Sequence, residues 1–359
     1  KHQRSSREPH SHSSDRAATM RKDRQYGILV CCAGVFCVTP DAVLMRWAQA
    51  LDASVASILF WKFTFVAIFS FAWVLEAERR AMGATSLGAV VRSLAKRCAT
   101  SPRHFLAATL LQASLDSTFS LALLLTYAAN VLIYYSLNVL WSAVLGYVVL
   151  GDVLPRRTVA CCVFAIACIA LVFVSQLGDS DGGDPLGDTL AVFTGLTLSV
   201  YLLNTRHAAR AAPDVPIALA AGCGSCLAAA VVALSTLATG DDILASPRRT
   251  PLLFLVLCLD GACVCAIFIG TAIAPRYITG AECGLCSLME TILGPLWVFL
   301  VYGELPPDLT LVGGSLLVAS LAAHEYTSAR AAAVDPVVEK PAEEKAIDAS
   351  VVRPEDSKV

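Results

Sequence analysis

Four charged side chains stand near the middle of otherwise apolar runs: Lys62 in FWKFTF, Asp116 in LQASLDSTFS, Asp260 in LCLDGACVCA and Glu290 in LMETILGP. If those runs cross a bilayer, each charge costs on the order of 2.5–3.5 kcal/mol at mid-depth, so each needs a partner or a wet cavity. Three acids face one base, a surplus that at least one proton could neutralise. The pattern points to a substrate or proton site. A Lys62–Asp116 ion pair that fixes helix packing is the structural alternative, and it leaves Asp260 and Glu290 without a second base.

Polar residues at helical spacing extend the candidate set. Asn130 and Asn138 share one apolar run, and Glu282 and Glu290 share another at the same separation. At 3.6 residues per turn that spacing returns to within about 80° of one face, so both pairs can point into a bundle. Glu282 lies close enough to the end of its run to be a solvated interface residue. Tyr134, Tyr135 and Trp141 accompany the asparagines and could stack against a planar substrate, or pack as ordinary helix surface. Pro295, after Gly294, is expected to break or loosen its helix beside Glu290. Asp152 and Glu304 sit at the ends of runs, where they read as helix-end anchors. Gly313 and Gly314 suit close helix packing.

The elements that must position these residues are membrane helices. Of 359 residues 56% are hydrophobic and 16% charged, with mean hydropathy +0.65, beyond the balance of soluble domains. Ten stretches approach the roughly 20 apolar residues that a span needs, near 26–45, 54–75, 105–125, 128–150, 158–177, 187–205, 216–238, 251–273, 279–301 and 309–325. Thr126-Tyr127 and Ala274-Pro275-Arg276 mark turns between nearly continuous runs. A net charge of −2 gives no basic field for nucleic acid. The fourteen cysteines lie mostly in apolar runs and read as packing residues rather than a disulfide scaffold. Cys223-Gly-Ser-Cys226 and Cys283-Gly-Leu-Cys286 have redox spacing but no companion base. Neither a metal centre nor a cofactor is implied.

Basic residues orient the chain. Arg79, Arg80, Arg92, Lys96, Arg97 and Arg103 fill the second loop, and Arg156, Arg157, Arg206, Arg210 and Arg276 the later even loops, which places those loops and both termini in the cytosol. Arg248 and Arg249, in the seventh loop, run against the rule. The tails, 1–25 and 326–359, lack hydrophobic periodicity and are expected to be disordered. The basic, Ser-rich leader has some character of a transit sequence, against which Glu8, Asp15 and Asp23 argue.

The chain also repeats itself. Gly151-Asp152 returns as Gly303-Glu304, and at the same 152-residue offset Ala129, Asn130 and Asn138 return as Ala281, Glu282 and Glu290. Upstream, Gly27 and Arg46 match Gly187 and Arg206. Units 26–177 and 187–325 each hold five spans, an odd number, so the second must enter the membrane from the opposite side. The fold expected is all-α and integral to the membrane, with ten transmembrane helices as two inverted five-helix repeats.

Phe60-Trp61-Lys62, Leu150-Gly151-Asp152, Met289-Glu290 through Gly294-Pro295-Leu296-Trp297 to Tyr302-Gly303-Glu304, and Gly313-Gly314 together resemble the EamA branch of the drug/metabolite transporter superfamily. The resemblance spans about Gln25 to Ala323. It implies alternating access around a central cavity without ATP hydrolysis, and transport of amino acids, other metabolites or drugs; related carriers of sugar nucleotides and triose phosphates share the fold. The second-span base, often Arg in that family, is Lys62 here, which keeps the charge but loses the planar fork. The acid after the first Gly, often Glu there, is Asp152.

The leading expectation is a multi-pass secondary carrier of a small polar metabolite, proton-coupled through Asp116, Asp260 or Glu290, working as monomer or homodimer in a plasma or organelle membrane. An organellar nucleotide-sugar or phosphate-ester exchanger would want more cavity bases than Lys62. A sensor or scaffold without transport is the reading from another class. An enzyme is not expected: all six histidines lie in tails or near span ends, and neither a GxSG sequence nor a P-loop occurs.

Overall fold

The computed structural model describes residues 10–83, 86–150, 156–176, 184–211, 215–240, 242–244, 246, 248, 250–274, 277 and 280–334. Among them the chain is helical, with no strand. The order is α1 (His10–Val38), α2 (Asp41–Ala50), α3 (Val55–Met82), α4 (Leu87–Thr100), α5 (Pro102–Leu125), α6 (Ala128–Tyr135) and α7 (Asn138–Leu145), which closes with a π-helical turn, Gly146–Leu150. Then follow α8 (Arg156–Gln176), α9 (Pro185–Ala211), α10 (Ile217–Thr239), α11 (Leu252–Ile273), α12 (Gly280–Tyr302) and α13 (Asp308–Val334). Every apolar run singled out in the sequence is helical. Among the described residues seven segments are long and apolar enough to cross a membrane: Arg24–Ala50, Val55–Met82, Pro102–Leu125, Ala128–Val149, Pro185–Thr205, Ile217–Thr239 and Leu252–Thr271. Shorter apolar helices cover Cys286–Tyr302 and Asp308–His324.

Local chemistry sets several boundaries. Ser54 caps α3 by accepting from the Ser57 amide at 3.2 Å, and Gly83 ends it at φ 60°, where a side chain would be strained. The first run is broken at Thr39-Pro40. Proline has no amide to offer the carbonyl four residues back, and that carbonyl, Phe36 O, instead accepts from the Thr39 amide at 3.3 Å and the Thr39 hydroxyl at 2.9 Å. The helix restarts with Asp41 in its first turn, where a carboxylate suits the positive end of the dipole. The fourth run also breaks, at Ser136-Leu137, whereas α12 continues through Pro295. The discontinuity expected beside Glu290 is thus found in the helix that carries Asn130 and Asn138. The second loop contains α4, tied to α3 by Arg97–Glu78 at 2.8 Å. α1 begins at His10, inside the stretch expected to lack structure, and α13 continues to Val334; 1–9, 335–359, Asp152, Pro275 and Arg276 fall outside the described residues.

Neighbouring helices keep a consistent sense. α1–α2 runs parallel to α12, joined at Cys32–Cys286, Thr39–Trp297 and Arg46–Glu304. α6–α7 runs parallel to α9, joined at Asn130–Asp188 and Asn138–Ser199. α5 is antiparallel to α9, through His104–Asn204 and Thr118–Thr194. α1 is antiparallel to α11, through Tyr26–Tyr277 and Gly34–Gly270. α8 is antiparallel to α13, through Thr158–His324 and Cys161–Ser320, and Gly313 lets α13 approach the Cys168 carbonyl. α3 packs on both α10 and α11, and α5 on α10.

Two large apolar clusters and two small ones fill the interior among the described residues. Ile133, Tyr134, Leu288, Val298 and Leu317 belong to one of the large pair; Ile58, Phe63, Leu253 and Leu257 belong to the other. α2 serves both, with Ala42 in the first and Leu44, Met45 and Ala48 in the second. The outward faces carry exposed Leu29, Ile68, Ile166, Leu255 and Leu300, an apolar exterior of the kind lipid tails cover. Where α1 crosses α11 the backbones nearly touch. A Cβ on Gly34 would stand 3.0 Å from Ala266 O and 3.2 Å from Gly270 Cα, so Gly34→Val should cost about 1–3 kcal/mol by overpacking. A thermal melt in detergent measures this, and an unchanged Tm would mean that the two helices do not meet there.

Candidate functional site

The interior charges assemble around Lys62. Its Nζ donates to Asp41 Oδ1 at 2.5 Å and stands 3.2 Å from Asp260 Oδ2. All three are buried, at 3%, 4% and 0% exposure. The Asp260 contact is an ion pair without hydrogen-bond geometry, and Asp260 Oδ1 has no hydrogen-bond partner among the described residues. Three elements converge here: the restart at Asp41, the middle of α3 and the first half of α11. A buried ion pair survives only when geometry and further bonds offset the loss of water; here one ammonium is shared by two carboxylates, and the second is incompletely satisfied.

Glu290, on α12, lines a small cavity with Asp41, and Val38, Phe119, Leu123 and Leu132 supply apolar wall. The space is about that of one water molecule. Glu290 is 6% exposed and makes no hydrogen bond or ion pair with a described residue. Trp297, two turns further along α12, donates its indole N–H to the Thr39 hydroxyl at 3.1 Å, which braces the break that presents Asp41.

Asp116 belongs to a separate constellation. It accepts from Gln112 Nε2 at 2.8 Å and from the Ser225 hydroxyl at 2.5 Å, bridging α5 and α10. The Lys62–Asp116 pair considered from sequence is therefore replaced by Lys62 with Asp41 and Asp260. Asn130, fully buried, donates to Asp188 Oδ1 at 3.4 Å, and the Thr126 hydroxyl donates to the same oxygen at 2.8 Å. Asn138 turns back onto the Tyr135 carbonyl at 2.8 Å, spanning the helix break, while its own carbonyl accepts from Ser199 Oγ at 2.8 Å. Trp141 Nε1 is buried without a hydrogen-bond partner among the described residues. Tyr134 is packed in the apolar interior, and Tyr135 lies against Phe119 with ring centroids 5.2 Å apart. The Glu282 side chain lies outside the described residues.

Asp41, Asp188 and Phe119 were not singled out by sequence reasoning. Thr39-Pro40-Asp41 carries a helix-restart signature that flags Asp41. Asp188 sits in a run of four aspartates that reads as loop, yet it is buried at 1% exposure.

One end of the bundle is clasped. Arg46, on α2, holds Glu304 through Nε to Oε2 at 3.1 Å and Nη2 to Oε1 at 3.4 Å, and Nη2 also donates to Thr126 O at 2.8 Å. Glu304 Oε1 in turn accepts from the Ala128 amide at 3.2 Å, capping α6. The helix-end role expected of Glu304 is thus filled, and the fork-on-carboxylate geometry is the strong form of such a pair. Gln49 adds a bond from Nε2 to Leu124 O at 3.1 Å. The pair is about four-fifths buried, and a double-mutant cycle of Arg46→Gln with Glu304→Gln should return a coupling of about 1–2 kcal/mol. A coupling near zero would reduce the clasp to a solvent-screened contact.

No protein-family model matches this sequence. No curated protein matches it. Eighteen chains of solved structures do. One of them, named only "Crystal structure of protein", aligns over 85% of this chain and 98% of its own, with a TM-score of 0.54 and 19% identity. At that identity the likeness is one of fold.

Proposed function

We propose that this chain is a multi-pass secondary carrier for a small polar metabolite, of the kind found in the EamA branch of the drug/metabolite transporter superfamily, working by alternating access and energised by a proton gradient. The observation that carries the reading is the buried Lys62–Asp41–Asp260 cluster beside Glu290 in an apolar helical bundle. Ionisable groups at that depth are costly and mark ion or substrate paths.

The packing supports ten spans in two inverted halves. Taking α1–α2 and α6–α7 as single crossings, segments of like parity run parallel and those of unlike parity antiparallel, as alternating crossings require. The most extensive neighbour pairs are also preserved when the halves are exchanged. The third segment on the sixth becomes the eighth on the first, and the fourth on the sixth becomes the ninth on the first. The third on the seventh becomes the eighth on the second; the second on the seventh and the fifth on the tenth map onto themselves. Inverted repeats of this kind exchange two mirror-related states around a midplane site. The Arg46–Glu304 clasp then closes the outer end, and both termini are cytoplasmic. Within the carrier class, an acid surplus around a single base disfavours a phosphate-ester substrate.

The test is uptake into proteoliposomes of a metabolite panel, with and without an imposed pH gradient, against protein-free vesicles. Gradient-driven accumulation of any compound supports the proposal. Saturable exchange indifferent to the gradient would remove the proton from it, and a chain that inserts with an odd number of crossings would overturn the fold on which it rests.

A further inference from the structure

We infer that the cavity between Asp41 and Glu290 is a binding site for a monovalent cation of ammonium size. The inference rests on reading this cavity as the transport site, and it narrows the substrate class. The charges that face the cavity are Asp41 from α2 and Glu290 from α12; behind Asp41 stand Lys62 from α3 and Asp260 from α11. One ammonium faces three carboxylates, and Asp116 is occupied with Gln112 and Ser225. Lys62 makes its two ion pairs with the aspartates and none with Glu290, which it reaches only as a more distant charge.

Three features distinguish a cation from a bare proton. Glu290 is buried, lines the cavity, and has no partner among the described residues. A cation seated there would supply the counter-charge that Glu290 lacks at hydrogen-bond distance. A proton also needs no room, whereas the space beside the two carboxylates is the size of a water molecule, a sodium ion or an ammonium head. Finally, the lining also includes Phe119 with Val38, Leu123 and Leu132, beside Thr39 and Ala42. An aromatic ring near a carboxylate pair suits an organic ammonium through cation–π attraction, and the aliphatic neighbours suit an apolar substituent. An anion would meet two carboxylates and no free base.

The cation can arrive as inorganic sodium or as the ammonium head of an organic substrate, and the experiment separates these. Purified full-length protein in detergent is melted at fixed pH and ionic strength in sodium chloride, in N-methylglucamine chloride, and with phenethylammonium or its charge-reversed analogue phenylpropionate. A rise in Tm of about 3 °C with sodium assigns an inorganic ion; the same rise with phenethylammonium alone assigns the substrate head. Glu290→Gln should lose the response, and the exposed-acid control Asp308→Asn should keep it. Should Glu290→Gln not fold, wild-type protein still reports: dicyclohexylcarbodiimide labelling of Glu290, read by peptide mass, should fall at least fivefold in the stabilising cation. Equal responses to phenethylammonium and phenylpropionate, or no protection by either cation, would overturn the site. Cation binding without uptake in the vesicle assay would leave the site standing and remove the carrier reading, so the two failures are distinguishable.

Discussion

Lys62→Met should leave Asp41 and Asp260 facing each other in the apolar interior and lower stability by about 3–5 kcal/mol, the usual cost of removing one partner from a buried pair. The methionine fills similar volume, so the loss is electrostatic rather than a cavity effect. Both carboxylates depend on the one ammonium: Asp41 through a 2.5 Å bond and Asp260 through a 3.2 Å contact that is its only described charge partner. In detergent the melt should move down by roughly 6–20 °C at about 2–4 °C per kcal/mol. The triple variant Lys62→Met, Asp41→Asn, Asp260→Asn should recover most of that, because replacing a whole buried ionic group is far cheaper than halving it. Lys62→Arg keeps the charge but must place a planar fork where a point charge reaches two carboxylates, and it should fall between. A single Lys62→Met variant as stable as the wild type would mean that water reaches the cluster.

Which residues would matter was legible because charge in an apolar run is conspicuous; how they pair was not. Lys62, Asp260 and Glu290 stand out in sequence and do gather at one place. Asp41, the nearest partner of Lys62, was passed over because it lies near the end of a run that read as one continuous helix, although Thr39-Pro40-Asp41 signals the restart that the rebonded carbonyl of Phe36 displays. The helix break was misplaced for the opposite reason. Gly294-Pro295 is a breaker by composition, yet α12 tolerates it, while Ser136-Leu137 contains neither Gly nor Pro. There, the facing Gly195 lets α9 approach the Tyr134 and Tyr135 carbonyls to 3.1–3.2 Å from its missing Cβ, and Ser199 bonds to Asn138 O. Tertiary packing decides that break, and no local propensity encodes it. The 152-residue repeat was legible because its Gly-acid pairs close apolar runs in the sequence, and Glu304 shows what the second acid does: it caps one helix and clasps another.

Glu290→Gln should abolish gradient-driven accumulation, by at least about 100-fold, or roughly 2.7 kcal/mol of lost coupling, while leaving the fold intact. The amide is isosteric, and the carboxylate it replaces has no partner among the described residues to lose. Removing an unpaired buried charge costs little and can stabilise, so Tm should hold or rise. Asp116→Asn makes the contrast. Its two oxygens accept from Gln112 and Ser225; an amide keeps both bonds only with its nitrogen on Ser225 Oγ and the serine proton turned to Ala221 O, and it loses the charge that strengthens them, so that variant should lose about 1–3 kcal/mol of stability. It should keep coupled transport in whatever protein folds. The pair of variants therefore separates a carboxylate that exchanges its charge with a transported species from one that holds two helices together. If Glu290→Gln accumulates substrate as well as the wild type and Asp116→Asn does not, the coupling carboxylate lies on α5, and the cavity beside Asp41 is a packing defect between α1 and α12.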